Sequence, residues 1–297
     1  MIKERIAIGV DIGGTKIKTG IVTPHGQVIG QTCTIPTGGN DPREEIVNRI
    51  FKSISEVIRI NKLNKEDIRG IGMGVTGPLD VKNGKILQCP NLPTMDFFPL
   101  KDAVQTEFGF PVDMNNDANA MILGEAIWGA GKGSDNVLGI TLGTGLGCAV
   151  VLNKKVLMGA TETAGEIWIS PYKDGIIEDY VSGRGVCSIY KKLSGKEISA
   201  VEIAALAKQG DPIAQKTWDE FGEAVAFALS WSINLIDPEI VIIGGSIANS
   251  MELFFPSMKE KLQKYICPVP AQTLRIVKAE LGDDAGFIGA AALVDPC

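Results

Sequence analysis

At 297 residues, with 45% hydrophobic and 22% charged residues, the chain has an ordinary globular composition and length enough for one large or two medium domains. Its formal net charge of −6 argues against a nucleic-acid binder, which would carry a basic face. No apolar run reaches the about 18–20 residues of a spanning helix, and the charged start Met1-Ile-Lys-Glu-Arg-Ile lacks a signal peptide's apolar core, so a cytoplasmic protein with no membrane partner is expected.

Ile6–Val10, Ile17–Thr23 and Val28–Ile35 read as an antiparallel meander joined by Asp11-Ile12-Gly13-Gly14-Thr15-Lys16 and by Pro24-His25-Gly26-Gln27. His25, the only histidine, falls on the second turn, where a solvated ring is expected; any general base is then expected to be a carboxylate. Asp41-Pro42 with Glu44 and Glu45 marks a helix start, and Ile46, Ile50, Phe51, Ile54, Val57 and Ile58 give it an apolar stripe. Strand Gly70–Val75 runs into Thr76-Gly77-Pro78 and the turn Asn83-Gly84. Gly72-Met-Gly74-Val-Thr-Gly77 spells the dinucleotide fingerprint, but that motif needs a helix opening inside it, and Pro78 follows instead. No Gly-Lys pair precedes Ser or Thr, which removes a P-loop.

Asn116-Asp117 stands where a strand gives way to an Ala/Leu/Glu helix through Trp128. Val137–Leu142, Cys148–Leu152 and Lys155–Met158 repeat the meander, and Ser199-Ala-Val-Glu202 is a capping box. Asp211 to about Ile236 is a long helix, apolar at Val225, Phe227, Ala228, Leu229, Trp231 and Leu235. Strand Glu239–Ile243 ends in Gly244-Gly245-Ser246. A last strand near Leu274–Ala279 leads through Gly282-Asp283-Asp284-Ala285-Gly286 to a small-residue helix, Phe287–Leu293. The organisation is two related α/β halves divided near residues 117–135. Six cysteines, at 33, 89, 148, 187, 267 and 297, form no CxxC pair, which predicts reduced, mostly buried thiols rather than disulfides or a metal cluster.

The two halves share a motif. Val10-Asp11-Ile12-Gly13-Gly14-Thr15-Lys16 returns as Ile140-Thr141-Leu142-Gly143-Thr144-Gly145-Leu146-Gly147 at an offset of 130 (138 − 8 for Leu138 over Ile8). A glycine turn at a strand end lets consecutive N–H groups approach an anion, so two such turns facing each other suit the phosphates of one nucleotide. Thr15, Lys16, Thr141 and Thr144 add hydroxyl or ammonium donors. Asp11 beside phosphates requires a divalent cation between them, directly or through water, which points to Mg²⁺; an Asp capping its own turn is the plain alternative.

Asn116 and Asp117 fit a helix cap as well as they fit a site in which Asn116 orients a hydroxyl and Asp117 takes its proton. Glu166 and Glu178 bracket a polar stretch; converging, they would accept from adjacent hydroxyls of a polyol, and otherwise they are isolated surface glutamates. Gly244-Gly245 lets a flat ring approach the backbone at a helix N-terminus, as an ordinary strand–helix turn also would.

Together these segments resemble the ROK family of sugar kinases, of the actin/hexokinase ATPase class, over nearly the whole chain from Val10 to Ala291. The marks are Asp11-Ile-Gly-Gly-Thr-Lys16, Pro90-Asn91-Leu92-Pro93, Asn116-Asp117-Ala118-Asn119-Ala120, Leu142-Gly-Thr-Gly-Leu-Gly147, Ala164-Gly165-Glu166-Ile167, Glu178-Asp-Tyr-Val-Ser-Gly183, Gly244-Gly245 and Gly282-Asp-Asp-Ala-Gly286. The resemblance implies two ribonuclease H-like α/β lobes with an interlobe cleft: an N-terminal lobe of residues 1–117, a larger C-terminal lobe of residues 118–283, and a C-terminal helix (284–297) packed back on the first. It implies ATP- and Mg²⁺-dependent phosphorylation of a hexose, commonly at the 6-hydroxyl, or of an N-acetylhexosamine, by a homodimer. Asp117 becomes the general base; Asn91, Asn116, Glu166 and Glu178 become sugar contacts, with Gly77 lining the pocket.

One departure is sharp. Many members carry Gly-His after the Glu-Ile pair and a CxCGxxGCxE zinc motif, whose His touches metal and sugar. Here Trp168 and Ile169 replace Gly-His and Ile176 replaces the last zinc cysteine, so no zinc site is expected and one sugar contact is lost. The resembled family also includes sugar-responsive repressors, which need a helix-turn-helix before the first glycine motif; with ten residues before Asp11, none is expected. A non-catalytic sugar-binding relative is a further alternative, against which Asp11 and Asp117 both speak.

Overall fold

The first strand, β1 (Ile6–Ile12), is apolar at nearly every position, as a strand covered on both faces must be. The computed structural model describes residues 4–294; residues 1–3 and 295–297, and with them Cys297 and the end of the expected helix 284–297, lie outside the described residues. The architecture is α/β, built on two mixed five-stranded sheets. The chain gathers into two units: one holds the chain up to Gly133, Lys154–Thr163 and the chain from Glu280 onward; the other holds Ser134–Asn153 and Ala164–Ala279.

In the first unit, β1, β2 (Lys16–Val22) and β3 (Val28–Pro36) form the antiparallel meander. The amphipathic helix α1 (Arg43–Ile60) buries Ile46, Ile50, Ile54 and Val57. Strand β4 (Ile68–Val75) returns parallel to β1; helix α2 (Leu100–Phe108), whose weak apolar stripe the sequence reading passes over, precedes β5 (Val112–Asn116), parallel to β4. The sheet order is β3-β2-β1-β4-β5. Gly72-Met-Gly74-Val-Thr-Gly77 opens no helix: β4 runs on into the short hairpin Leu79–Asp80/Lys85–Ile86.

Helix α3 (Asp117–Trp128) and the C-terminal helix (Ala285–Ala292) cover the other face of this sheet. Their approach is backbone on backbone. A Cβ on Gly9 would stand 1.8 Å from the Phe287 carbonyl oxygen, one on Gly72 1.8 Å from that of Ala290, and one on Gly289 2.0 Å from that of Ala120.

In the second unit, β6 (Asn136–Leu142) and β7 (Leu146–Leu152) are antiparallel, and β6 is flanked by a parallel run of β8 (Ile240–Gly244) and β9 (Arg275–Lys278). Helices α4 (Gly183–Ser194), α5 (Ala200–Lys208), α6 (Pro212–Ile236) and α7 (Met251–Tyr265) complete the unit around a core that includes Trp218, Phe221 and Phe254. The Ser199/Glu202 capping box and the Asp211 cap form as expected. Along α6, Val225, Leu229 and Ile233 face inward, which turns Trp231 and Leu235 outward; they are 74% and 83% exposed. The cysteines are not mostly buried: of the five described, Cys89 and Cys148 are buried, Cys33 and Cys187 half-buried and Cys267 exposed. Scattered cysteines carry no periodic pattern from which their burial could be read.

Gly289→Ala should lower stability by about 3 kcal/mol, because a methyl group there meets main chain and not a movable side chain. Urea unfolding of the variant beside the parent checks this.

Candidate functional site

In the first unit, Ile12 pairs with Ile17 and leaves the four-residue turn Gly13–Lys16, closed by the Gly13 N–H donating to the Lys16 carbonyl at 3.0 Å. Buried Thr37, which no sequence motif marks, braces the turn: its N–H donates to the Thr15 carbonyl (2.9 Å) and its hydroxyl to that of Gly13 (2.6 Å). Among the described residues no backbone acceptor takes the N–H of Gly14 or Thr15, so both are available to an anion. Thr15 and Lys16 are exposed beside them.

Asp11 lies across the β1–β4 pairing from Gly74, and a Cβ on Gly74 would stand 3.7 Å from the Asp117 Cα. The two aspartates therefore flank one glycine, the middle glycine of the false dinucleotide motif. No hydrogen bond among the described residues ends on the Asp11 carboxylate. Burial pushes its pKa above the ordinary value, with Lys16 and Lys18 acting against that rise. A desolvated, acceptor-only group without a donor fits a hydrated divalent cation. Lys18, the cross-strand neighbour of Asp11, is held by Asp284 Oδ1 at 2.5 Å, and a Cβ on Gly286 would meet Asp11 Oδ2 at 2.5 Å. Gly282–Gly286 thus borders Asp11, a role for Lys18, Asp284 and Gly286 that the sequence reading lacks.

Asn116 caps α3, its Oδ1 accepting the Ala118 N–H at 2.9 Å, and Asp117 Oδ1 accepts the same N–H at 2.8 Å. Buried Asn115 locks the junction, accepting from the Asn116 N–H (2.8 Å) and from Asn119 Nδ2 (2.9 Å); the run Asn-Asn-Asp-Ala-Asn was its only sequence signal. Asn116 Nδ2 donates to the Gly77 carbonyl at 3.4 Å, and Asn91 Nδ2 to Thr76 Oγ1 at 3.1 Å. Gly77, Asn91, Asn116 and Asp117 are thereby brought together at the ends of β4 and β5. Gly77 has φ +96°, and its missing side chain makes room for Cys89 Sγ. Burial, with the nearby negative charge of Asp117 and Asp96, raises the Cys89 thiol pKa and keeps it protonated.

In the second unit the equivalent turn is one residue shorter, since Leu142 pairs with Leu146. Gly143 N–H donates to the Gly145 carbonyl at 3.0 Å, and no backbone acceptor among the described residues takes the N–H of Thr144 or Gly145. Thr141 pairs with Gly244, and Gly245, at φ +84°, has its Cβ position 2.3 Å from the Leu142 carbonyl, so the Gly-Gly pair stands beside this turn. The long helix after it starts later than expected: Ser246–Ser250 forms a 3₁₀ turn, and α7 begins at Met251.

Glu178 Oε2 accepts the Leu146 N–H at 2.9 Å, and its Oε1 pairs with Arg184 at 2.8 Å. Glu166 is exposed and accepts from the Trp168 indole N–H. No hydrogen bond joins the two glutamates; each is held by a different neighbour. Among the described residues no group of three or more His, Cys, Asp or Glu could hold a metal ion. A hairpin replaces the zinc motif: Tyr172 stacks edge-on to Tyr180 with centroids 5.0 Å apart, and Lys173 lies over both rings.

The ROK family profile matches residues 7–296, and the chain belongs to that family. A glucokinase of Thermotoga maritima is 32% identical over 97% of this chain and 96% of its own. An N-acetyl-D-glucosamine kinase of Photobacterium profundum is 31% identical, covering 96% and 98%. A ROK family glucokinase from Streptomyces griseus, in complex with glucose and AMPPNP, matches with a TM-score of 0.80 at 30% identity over 97% and 98% of the two chains. No helix of the described residues is long and apolar enough to cross a membrane.

Because burial raises the Asp11 pKa in the folded state, Asp11 costs stability progressively as pH rises from the ordinary unfolded value through the raised folded one, and the cost is complete above it. Asp11→Asn should therefore melt higher than the parent at pH 7. The gap should close as pH falls below the ordinary carboxylate value of about 3.9, which thermal melts across that range would follow.

Proposed function

We propose that this protein transfers the terminal phosphoryl group of ATP to a hexose, at the 6-hydroxyl, as a glucokinase-type enzyme. The observation that carries the reading is the placement of Asp11 and Asp117 on either side of Gly74. One is desolvated without a donor, as a cation-binding carboxylate should be; the other is fixed at a helix start by the Ala118 N–H.

In this reading Asp117 takes the proton of the attacking hydroxyl, and Asn116, Asn91 and Gly77 shape the sugar's surroundings. Glu166 and Glu178 accept hydroxyl hydrogens. The turns Gly13–Lys16 and Gly143–Gly145 present N–H groups to phosphate oxygens, helped by the hydroxyls of Thr15, Thr141 and Thr144 and the Lys16 ammonium. Gly245, exposed at the end of β8, would present its backbone to the base, while buried Gly244 holds the pairing with Thr141 beside it. Asp11 would hold Mg²⁺ through water; when bound, the ion offsets phosphate charge. Phosphoryl transfer asks chiefly for alignment and charge stabilisation, which these groups supply. The glucokinase relative supports the choice of a hexose, and the bound glucose and AMPPNP in the Streptomyces griseus enzyme support the two ligand classes.

A second reading, an N-acetylhexosamine kinase, is favoured by Trp168 beside Glu166 and by Ile169, 59% exposed next to it. An apolar surface there suits an acetyl methyl group, and the N-acetyl-D-glucosamine kinase relative points the same way.

ADP release with Mg-ATP, measured against glucose, mannose, fructose, allose, N-acetylglucosamine and N-acetylmannosamine, tests both. Asp117→Asn should lower kcat on the preferred sugar by about 10²–10⁴-fold. Turnover unchanged in that variant would reject Asp117 as base, and no turnover on any sugar would reject the kinase reading for this panel.

A further inference from the structure

The carboxylate assigned above to the sugar is bonded to the turn assigned to the phosphates. Glu178 Oε2 accepts the Leu146 N–H, and the same oxygen stands 2.4 Å from where a Gly145 Cβ would be. The Gly145 position has no room for a side chain because this carboxylate fills it. On the other side of the turn, the Gly183 N–H at the start of α4 donates to the Gly143 carbonyl at 2.8 Å. The segment from Glu178 to Gly183 therefore grips the turn Gly143–Gly145 at both ends. The remaining oxygen of Glu178 pairs with Arg184, whose side chain is 66% exposed.

We propose that Glu178 is a positioning residue of the donor-phosphate turn, with Arg184 as the counter-charge that holds it there, in addition to its contact with the sugar. This rests on the kinase reading. Arg184 occupies the first turn of α4, where a cation opposes the helix dipole, and an exposed ion pair adds little to stability. What the pair does is orient: it fixes Oε1, so that Oε2 stays on the Leu146 N–H and the neighbouring N–H groups of Thr144 and Gly145 keep one direction. Each carboxylate oxygen can accept a further hydrogen bond. A sugar hydroxyl arriving on Glu178 acts on a group already bonded to the turn, so acceptor and donor are coupled through one side chain.

The test removes the sugar. ADP with MgCl₂ is titrated into the sugar-free full-length protein, its Glu178→Ala, Glu178→Gln and Arg184→Met variants, and the binding constants are compared by calorimetry. A residue that served only the sugar would leave ADP binding unmoved. We expect Kd for ADP to rise about tenfold in Glu178→Ala, the loss of one well-made hydrogen bond. It should rise only about threefold in Glu178→Gln, whose amide oxygen can still accept the Leu146 N–H but whose NH₂ cannot pair with Arg184, and likewise about threefold in Arg184→Met. An unchanged Kd in Glu178→Ala overturns the proposal while leaving the kinase reading standing. Absence of ADP binding by the parent overturns both. Should Glu178→Ala fail to fold, Arg184→Met, a change at an exposed side chain, decides the matter: an unchanged Kd overturns the proposal, and a rise supports it.

Discussion

The first unit depends on a contact in which main chain lies on main chain. The C-terminal helix meets β1 at Gly9, β4 at Gly72 and α3 at its own Gly289, each at a spacing that admits no Cβ. Those three elements carry, in turn, Asp11, the strand leading to Gly77, and Asp117. Steric exclusion of this kind is stiff, because no rotamer change can relieve it. The two aspartates are thus held by a packing constraint that lies behind them and uses none of their own bonds.

The two glycine turns look alike in sequence but are closed differently. In the first, Thr37 braces the carbonyls of Gly13 and Thr15, and an acidic residue stands at the strand end. In the second, which is one residue shorter, the bracing comes from Glu178 and Gly183. The first turn therefore draws its support from an uncharged hydroxyl next to a carboxylate suited to a cation. The second draws it from a carboxylate whose other oxygen pairs with Arg184. The repeated motif keeps the strand–turn–strand hairpin but neither the length of its turn nor the means of holding it.

Much of the fold was legible from residues. The meander of β1–β3, the stripe on α1, the capped starts of α5 and α6 and the failure of Gly72–Gly77 to open a helix all follow from local pattern. The pairing of Asn116 with Asp117 at a strand–helix junction was legible for the same reason. What escaped is non-local. Thr37, Lys18, Asp284 and Gly286 take their places only because distant segments meet, and no spacing along the chain announces them. Glu166 and Glu178 were legible as carboxylates near each other in sequence, but their separate neighbours, Trp168 and Leu146, were not. The outward turn of Trp231 and Leu235 also escaped, since an apolar residue on a long helix reads as core until its phase against the buried Val225–Leu229–Ile233 line is fixed.

The placement of the C-terminal helix has a consequence for how the chain is made. Synthesis is vectorial, and residues 285–292 leave the ribosome after every strand of the first sheet. Until then the Gly9–Gly72 face of that sheet, together with Ala7, Val22 and the facing side of α3, lacks the cover that Phe287, Ile288 and Ala291 provide. The second unit, whose residues end at Ala279, is complete earlier. The half of the molecule that begins first is therefore the half that finishes last, and it spends translation as an uncovered sheet, the state in which a nascent chain most needs a chaperone.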